Sequence, residues 1–132
     1  MKDLFIETQS KYSFDRTIEK LSETILKTGW NISVIIDLQG SLSKSGIDIL
    51  PVKSIELCNP KLASQLLLKS ELRVYSCMLP CKISIYEKEN GKTYLSLLNI
   101  ELISSQIDED AKNVMNEAFS NINRLILDVA EQ

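Results

Sequence analysis

The sequence predicts an α+β fold, one antiparallel sheet with helices packed on one face. Three observations carry this. Asn90-Gly91 lies between two short segments of alternating polarity, residues 82–87 and 93–98, which is the strongest short-range signal for a hairpin. The elements come as strand, helix, two strands, helix, two strands and helix, with none of the regular strand-helix alternation of a parallel sheet. The chain closes on an amphipathic helix over residues 108–129, where Ala111, Val114, Met115, Ala118, Ile122, Leu125, Ile126 and Val129 fall on one stripe. That stripe is expected to cover the sheet or a second copy of the chain.

Taken in order, residues 4–9 read as a short first strand of mixed polarity, expected near a sheet edge. A helix follows. Ser13 is a good N-cap, Asp15 suits the positive end of the helix dipole, and Phe14, Ile18, Leu21 and Ile25 recur at helical spacing until Gly29 supplies the stop. Residues 30–37 form a β-branched strand, with Ile32, Val34 and Ile36 expected on one face and Ser33, Ile35 and Asp37 on the other. Trp30 is expected to plug the space between helix and sheet.

The Gly- and Ser-rich run 39–46 reads as a loop or a single helical turn, and it lacks the Walker pattern of a phosphate cradle. After Pro51 a strand puts Lys53, Ile55 and Leu57 on one face and Val52, Ser54, Glu56 and Cys58 on the other. Asn59-Pro60 then starts a helix reaching about residue 69, because Asn is among the best N-caps and Pro is favoured at the first helical position. Leu62, Ala63, Leu66 and Leu67 give this helix its apolar stripe.

Composition narrows the function classes. The 132 residues suit one domain with a working core, and 25% charged with 44% apolar residues is ordinary for a globular chain. Fifteen basic residues against 18 acidic ones give a net charge of -3, which provides no field for nucleic acid or an anionic membrane. No run approaches the roughly 20 apolar residues of a membrane helix, and the first ten residues lack the apolar core of a signal peptide. A cytoplasmic location is expected, consistent with three cysteines that need no disulfide framework. Histidine is absent, which removes the commonest general base and metal ligand and with them Ser-His, Cys-His and His-zinc chemistry within one chain.

The candidate site is the turn around Cys58. Placed before a capped helix start, its thiolate is favoured by free N-H groups and the helix dipole, whereas Glu56 on the same strand face opposes it. Cys81 opens the next strand after Pro80. If the two strands pair, Cys58, Cys81 and Glu56 could form a soft metal site or a redox pair, with Asp37 and Asn59 completing a ligand-binding set. The plain alternative is that both cysteines are small buried hydrophobes. Cys77 is expected to be structural, since a lone C-x3-C lacks the paired spacing of a zinc module. Asp37 with Glu56 serves as an acid/base pair only if the two converge. No cofactor is indicated. Lys82, Lys88 and Lys92 read first as a solvated strand face.

Ile36-Asp37, Gly46, Leu50-Pro51, Cys58-Asn59-Pro60-Lys61, Leu79-Pro80-Cys81 and the Gly91 hairpin resemble, in order and spacing, the domain-of-unknown-function 302 family over residues 18–100. The common family pattern has Asp-His where this chain has Asp37-Leu38, and Phe-Gly-Asn-Pro where it has Leu57-Cys58-Asn59-Pro60. The chain is closer to a cysteine-bearing branch with Glu-x-Cys-Asn-Pro and Leu-Pro-Cys. The resemblance implies a small α+β protein with a topology similar to the TATA-box-binding protein, without implying DNA binding, and brings no agreed activity. Two function classes therefore stay open. One is a noncatalytic module for a small ligand or a partner, and the other is a thiol or metal protein built on Cys58 and Cys81. Self-association could use the edge at residues 4–9 or the last helix.

Overall fold

A computed structural model describes residues 3–131. Five strands, β1 (Phe5–Gln9), β2 (Asn31–Asp37), β3 (Val52–Cys58), β4 (Cys81–Glu87) and β5 (Thr93–Leu98), form one sheet in the order β1-β5-β4-β3-β2. Every neighbouring pair is antiparallel. The α+β class and the edge position of β1 are as expected.

Alternation along the strands sorts the sheet into two faces. Ile55 and Leu57 of β3, Ile83 and Ile85 of β4, and Leu95 and Leu97 of β5 are buried under helices α1 (Phe14–Lys27), α3 (Pro60–Leu67) and α4 (Glu109–Leu127). These helices contribute Leu21 and Ile25, Leu62 and Leu66, and Val114, Met115 and Ile122 to the same cluster. Each such aliphatic side chain, fully buried, stabilises the fold by roughly 1.5–3 kcal/mol. The opposite face carries Ser54, Ser84, Ser96, Glu56, Lys82 and Tyr86, none of them buried. There Glu7 of β1 accepts from Tyr86 and pairs with Lys88 at 2.8 Å, fastening the edge strand to the hairpin.

Helix ends follow the sequence. Arg16 N donates to Ser13 Oγ at 3.3 Å, and Gly29 takes the left-handed conformation that ends α1, with φ 85°. The hairpin forms as expected, although its connection is five residues long: Gly91, with φ 78°, donates its N-H to Lys88 O, and Lys88 N donates to Lys92 O.

Two features differ from the sequence expectation. In β2 the register shifts between Ile32 and Val34, so that Ile32 faces Leu57 on the helix side while Val34 and Ile36 face Glu56 and Ser54 on the open side. Ser33 is the extra residue, and it separates Ile32 from the face it was expected to share. Residues 38–43 form a short helix, α2 (Leu38–Ser43), capped by Asp37, where a loop or single turn was expected. Between α3 and β4 the chain forms a 3-10 segment, Ser70–Met78, anchored by Leu72.

Candidate functional cavity at the sheet opening

The sheet is incompletely zipped. β4 and β5 pair only from Ser84↔Ser96 to Glu87↔Thr93. Beyond Ser84, the residues Cys81, Lys82 and Ile83 pair with β3 alone, while Leu97 and Leu98 pair with β1 alone. The two strands part toward the end where β3 turns into α3, and a cavity of about 560 Å³ occupies the opening. It is lined from both sides of the sheet. Ser54, Glu56, Lys82, Ser84, Ser96 and Phe5 border it on the open face, and Leu57, Leu66, Leu97, Met115, Phe119 and Ile122 line it beneath the helices. Trp30, the single tryptophan of the sequence, is buried and also lines it.

Capping sets one wall. Asn59 Oδ1 accepts from the Lys61 and Leu62 amides at 3.1 and 3.3 Å, and Pro60 occupies the first turn of α3. The helix thereby starts at a fixed angle, which brings Leu62 and Leu66 over the cavity. At the mouth, Lys82 Nζ lies 3.3 Å from Glu56 Oε1. The Glu56 side chain is only 14% exposed and that of Lys82 63%, so the lysine reaches in from solvent to neutralise an acid held against the sheet.

Of the residues expected to form the site, Glu56, Cys58, Asn59 and Cys81 line this cavity. Asp37 does not: it pairs with Lys53 at the other end of β3, and its carboxylate accepts from Gly40 N at 2.9 Å as the cap of α2. Lys53 and Glu56 are three positions apart on β3, roughly 10 Å of strand, and point to opposite faces of the sheet, so Asp37 is not placed to act with Glu56 as an acid/base pair. The expected metal set is likewise not assembled. Among the described residues no group of three or more Cys, Asp or Glu side chains is placed to hold a metal ion. Strand alternation explains this, since Cys81 faces Leu57 on the helix side whereas Glu56 is committed to Lys82 on the open side.

All three cysteines are free, and Cys77 is exposed in the 3-10 segment, not packed as a structural thiol. Burial pushes the Cys81 thiol up to about 11, with a smaller contribution from nearby Cys58. Cys81 is thus a neutral S-H at physiological pH, a small apolar group in the cavity wall. Sequence reasoning missed the inner wall. Met115, Phe119 and Ile122 belong to the stripe that marks the covered face of α4, and periodicity alone cannot tell a residue packed against the sheet from one facing a cavity.

The comparisons agree with this architecture. No curated protein matches the sequence. The crystal structure of an uncharacterized conserved DUF302 protein from Bacillus stearothermophilus is similar, with a TM-score of 0.81 at 23% sequence identity over 94% of this chain and 96% of that one, a likeness of fold. A family model described as "Domain of unknown function DUF302" matches residues 6–129, well beyond the stretch that carries the motifs, and the chain belongs to that family.

Proposed function

We propose that the protein is a noncatalytic binding module that takes a small apolar ligand into the cavity between β4 and β5. The observation that carries this reading is the opening itself, which joins the outer face of the sheet to a pocket walled by Leu57, Leu66, Met115, Phe119 and Ile122. A volume of about 560 Å³ is that of a ligand site, far larger than a packing defect. The chemistry of the lining favours binding over reaction: Cys81 is held protonated by burial, and Glu56 is occupied by Lys82.

The test is a titration with N-phenyl-1-naphthylamine, an uncharged apolar dye whose emission rises on leaving water. Saturable emission is expected for the native chain. Ala118→Phe, which fills the cavity from α4, should weaken binding at least about tenfold while the circular dichroism spectrum stays native. Equal binding by the native chain and by a folded Ala118→Phe variant would refute the assignment.

A further inference from the structure

The mouth of the cavity selects the chemistry of the ligand's polar end. Glu56 and Lys82 are the charged side chains of the lining, and they face each other at 3.3 Å. An anionic head would have to share Lys82 with Glu56, bringing two negative charges together beside an acid that is almost out of water. A cationic head would displace Lys82 or crowd it. An uncharged head disturbs neither partner.

Polar atoms suited to an uncharged head stand next to the pair. Ser54 lies opposite Ser84 across β3 and β4, and Ser84 lies opposite Ser96 across β4 and β5, so three hydroxyls cross the open face at the point where the sheet parts. All three line the cavity. The hydroxyls of Ser54 and Ser84 make no hydrogen bond to another of the described residues. Each can both donate to and accept from an incoming hydroxyl.

The shape of the opening is as informative as its charge. Pairing fails over three residues of β4, about 10 Å of strand, between two backbones that are zipped at Ser84↔Ser96. The opening runs along the strands and admits an alkyl chain, and the apolar wall behind it, from Leu66 of α3 to Ile122 of α4, suits alkyl carbon.

From these observations we infer that the cavity takes an uncharged single-chain amphiphile, an alkyl chain ending in a hydroxyl, with the chain beneath the helices and the hydroxyl at Ser54 and Ser84. This rests on the binding role proposed above. The experiment is chosen so that the two can fail separately.

The fluorescence of Trp30 in the cavity wall reports occupancy. Dodecan-1-ol, dodecanoate and dodecylammonium are titrated below their aggregation limits into the full chain at neutral pH and low salt. Dodecan-1-ol is expected to bind at least about tenfold more tightly than either ion, because each ion must disturb the Glu56–Lys82 pair. Ser84→Ala should weaken dodecan-1-ol about fivefold, the loss of one hydrogen bond. If dodecanoate or dodecylammonium binds as tightly as the alcohol while the dye binds normally, the uncharged-head inference is overturned and the cavity assignment stands. If none of the three, nor the dye, binds saturably, both are overturned.

Discussion

Glu56 and Lys82 face each other across β3 and β4 and pair at 3.3 Å on the open side of the sheet, one residue along from Leu57 and Cys81, which face each other on the helix side. A single step in register therefore separates a charged mouth from an apolar wall. Since Lys82 is well exposed, the pair itself adds little to stability. Lys82→Met is expected to cost less than about 1 kcal/mol in urea unfolding while making dodecylammonium a better ligand than it is for the native chain, because Glu56 then faces the mouth alone. Unchanged dodecylammonium binding by the folded variant would show that Glu56 does not set the charge of the mouth.

The Cys81 thiol gives a pH signature. Burial raises it from an ordinary value of 9.0 to about 11, so the folded chain holds this proton more tightly than the unfolded one. The resulting stability is complete below about pH 9 and is lost as the pH rises from about 9 to about 11, by at most about 3 kcal/mol. Tyr86, pushed up to about 12 chiefly by burial, adds a later fall. Urea midpoints measured in pH steps should drop across this interval for the native chain and drop less for Cys81→Ala. Equal slopes for the two would contradict the assignment.

Asn59 ties the helix start to the cavity wall. Removing its cap in Asn59→Ala should destabilise the chain by about 1 kcal/mol and weaken dye binding, because Leu62 and Leu66 ride on α3. Asn59→Asp, which keeps the acceptor, should restore most of both. Thermal melts and dye titrations on the same samples check it. A cap loss that leaves the dye unaffected would separate α3 from the cavity.

Asp37 provides the contrast. Its carboxylate caps α2 far from the opening, so Asp37→Ala should also cost up to about 1 kcal/mol in thermal or urea unfolding but leave dye affinity within about twofold of native. A large loss of dye binding would mean that Asp37 acts at the cavity after all.

These contrasts show which parts of the molecule local sequence can carry. Asn59-Pro60, Ser13 and Asn90-Gly91 work through their own backbone neighbours, so the starts of α3 and α1 and the β4–β5 hairpin are legible from a few residues. Alternation within β3 is equally local, and Ile55 and Leu57 are buried where it places them. The bulge at Ser33 is not legible. Val34 and Ile36 alternate normally, and only the partner strand shows that Ile32 has changed faces. The same limit hides the cavity, since where β4 stops pairing with β5 is a relationship between Ser84 and Ser96, not a property of either segment. Glu56, Cys58 and Asn59 are neighbours at one turn, Cys81 arrives on the strand that pairs with β3, and all four line the cavity. Asp37 does not join them; an acid ending an apolar strand looks alike whether it lines a site or caps the next helix.

The most direct measurement is the contact map of a bound ligand by NMR. With methyl-labelled protein and saturating dodecan-1-ol, intermolecular NOEs are expected from the alkyl protons to methyls of Leu57, Leu66, Met115 and Ile122 in the cavity wall. The exposed apolar residues around β2 and α2, Val34, Leu38 and Leu42, offer the competing surface. NOEs confined to those three, with none to the cavity wall, would contradict the account.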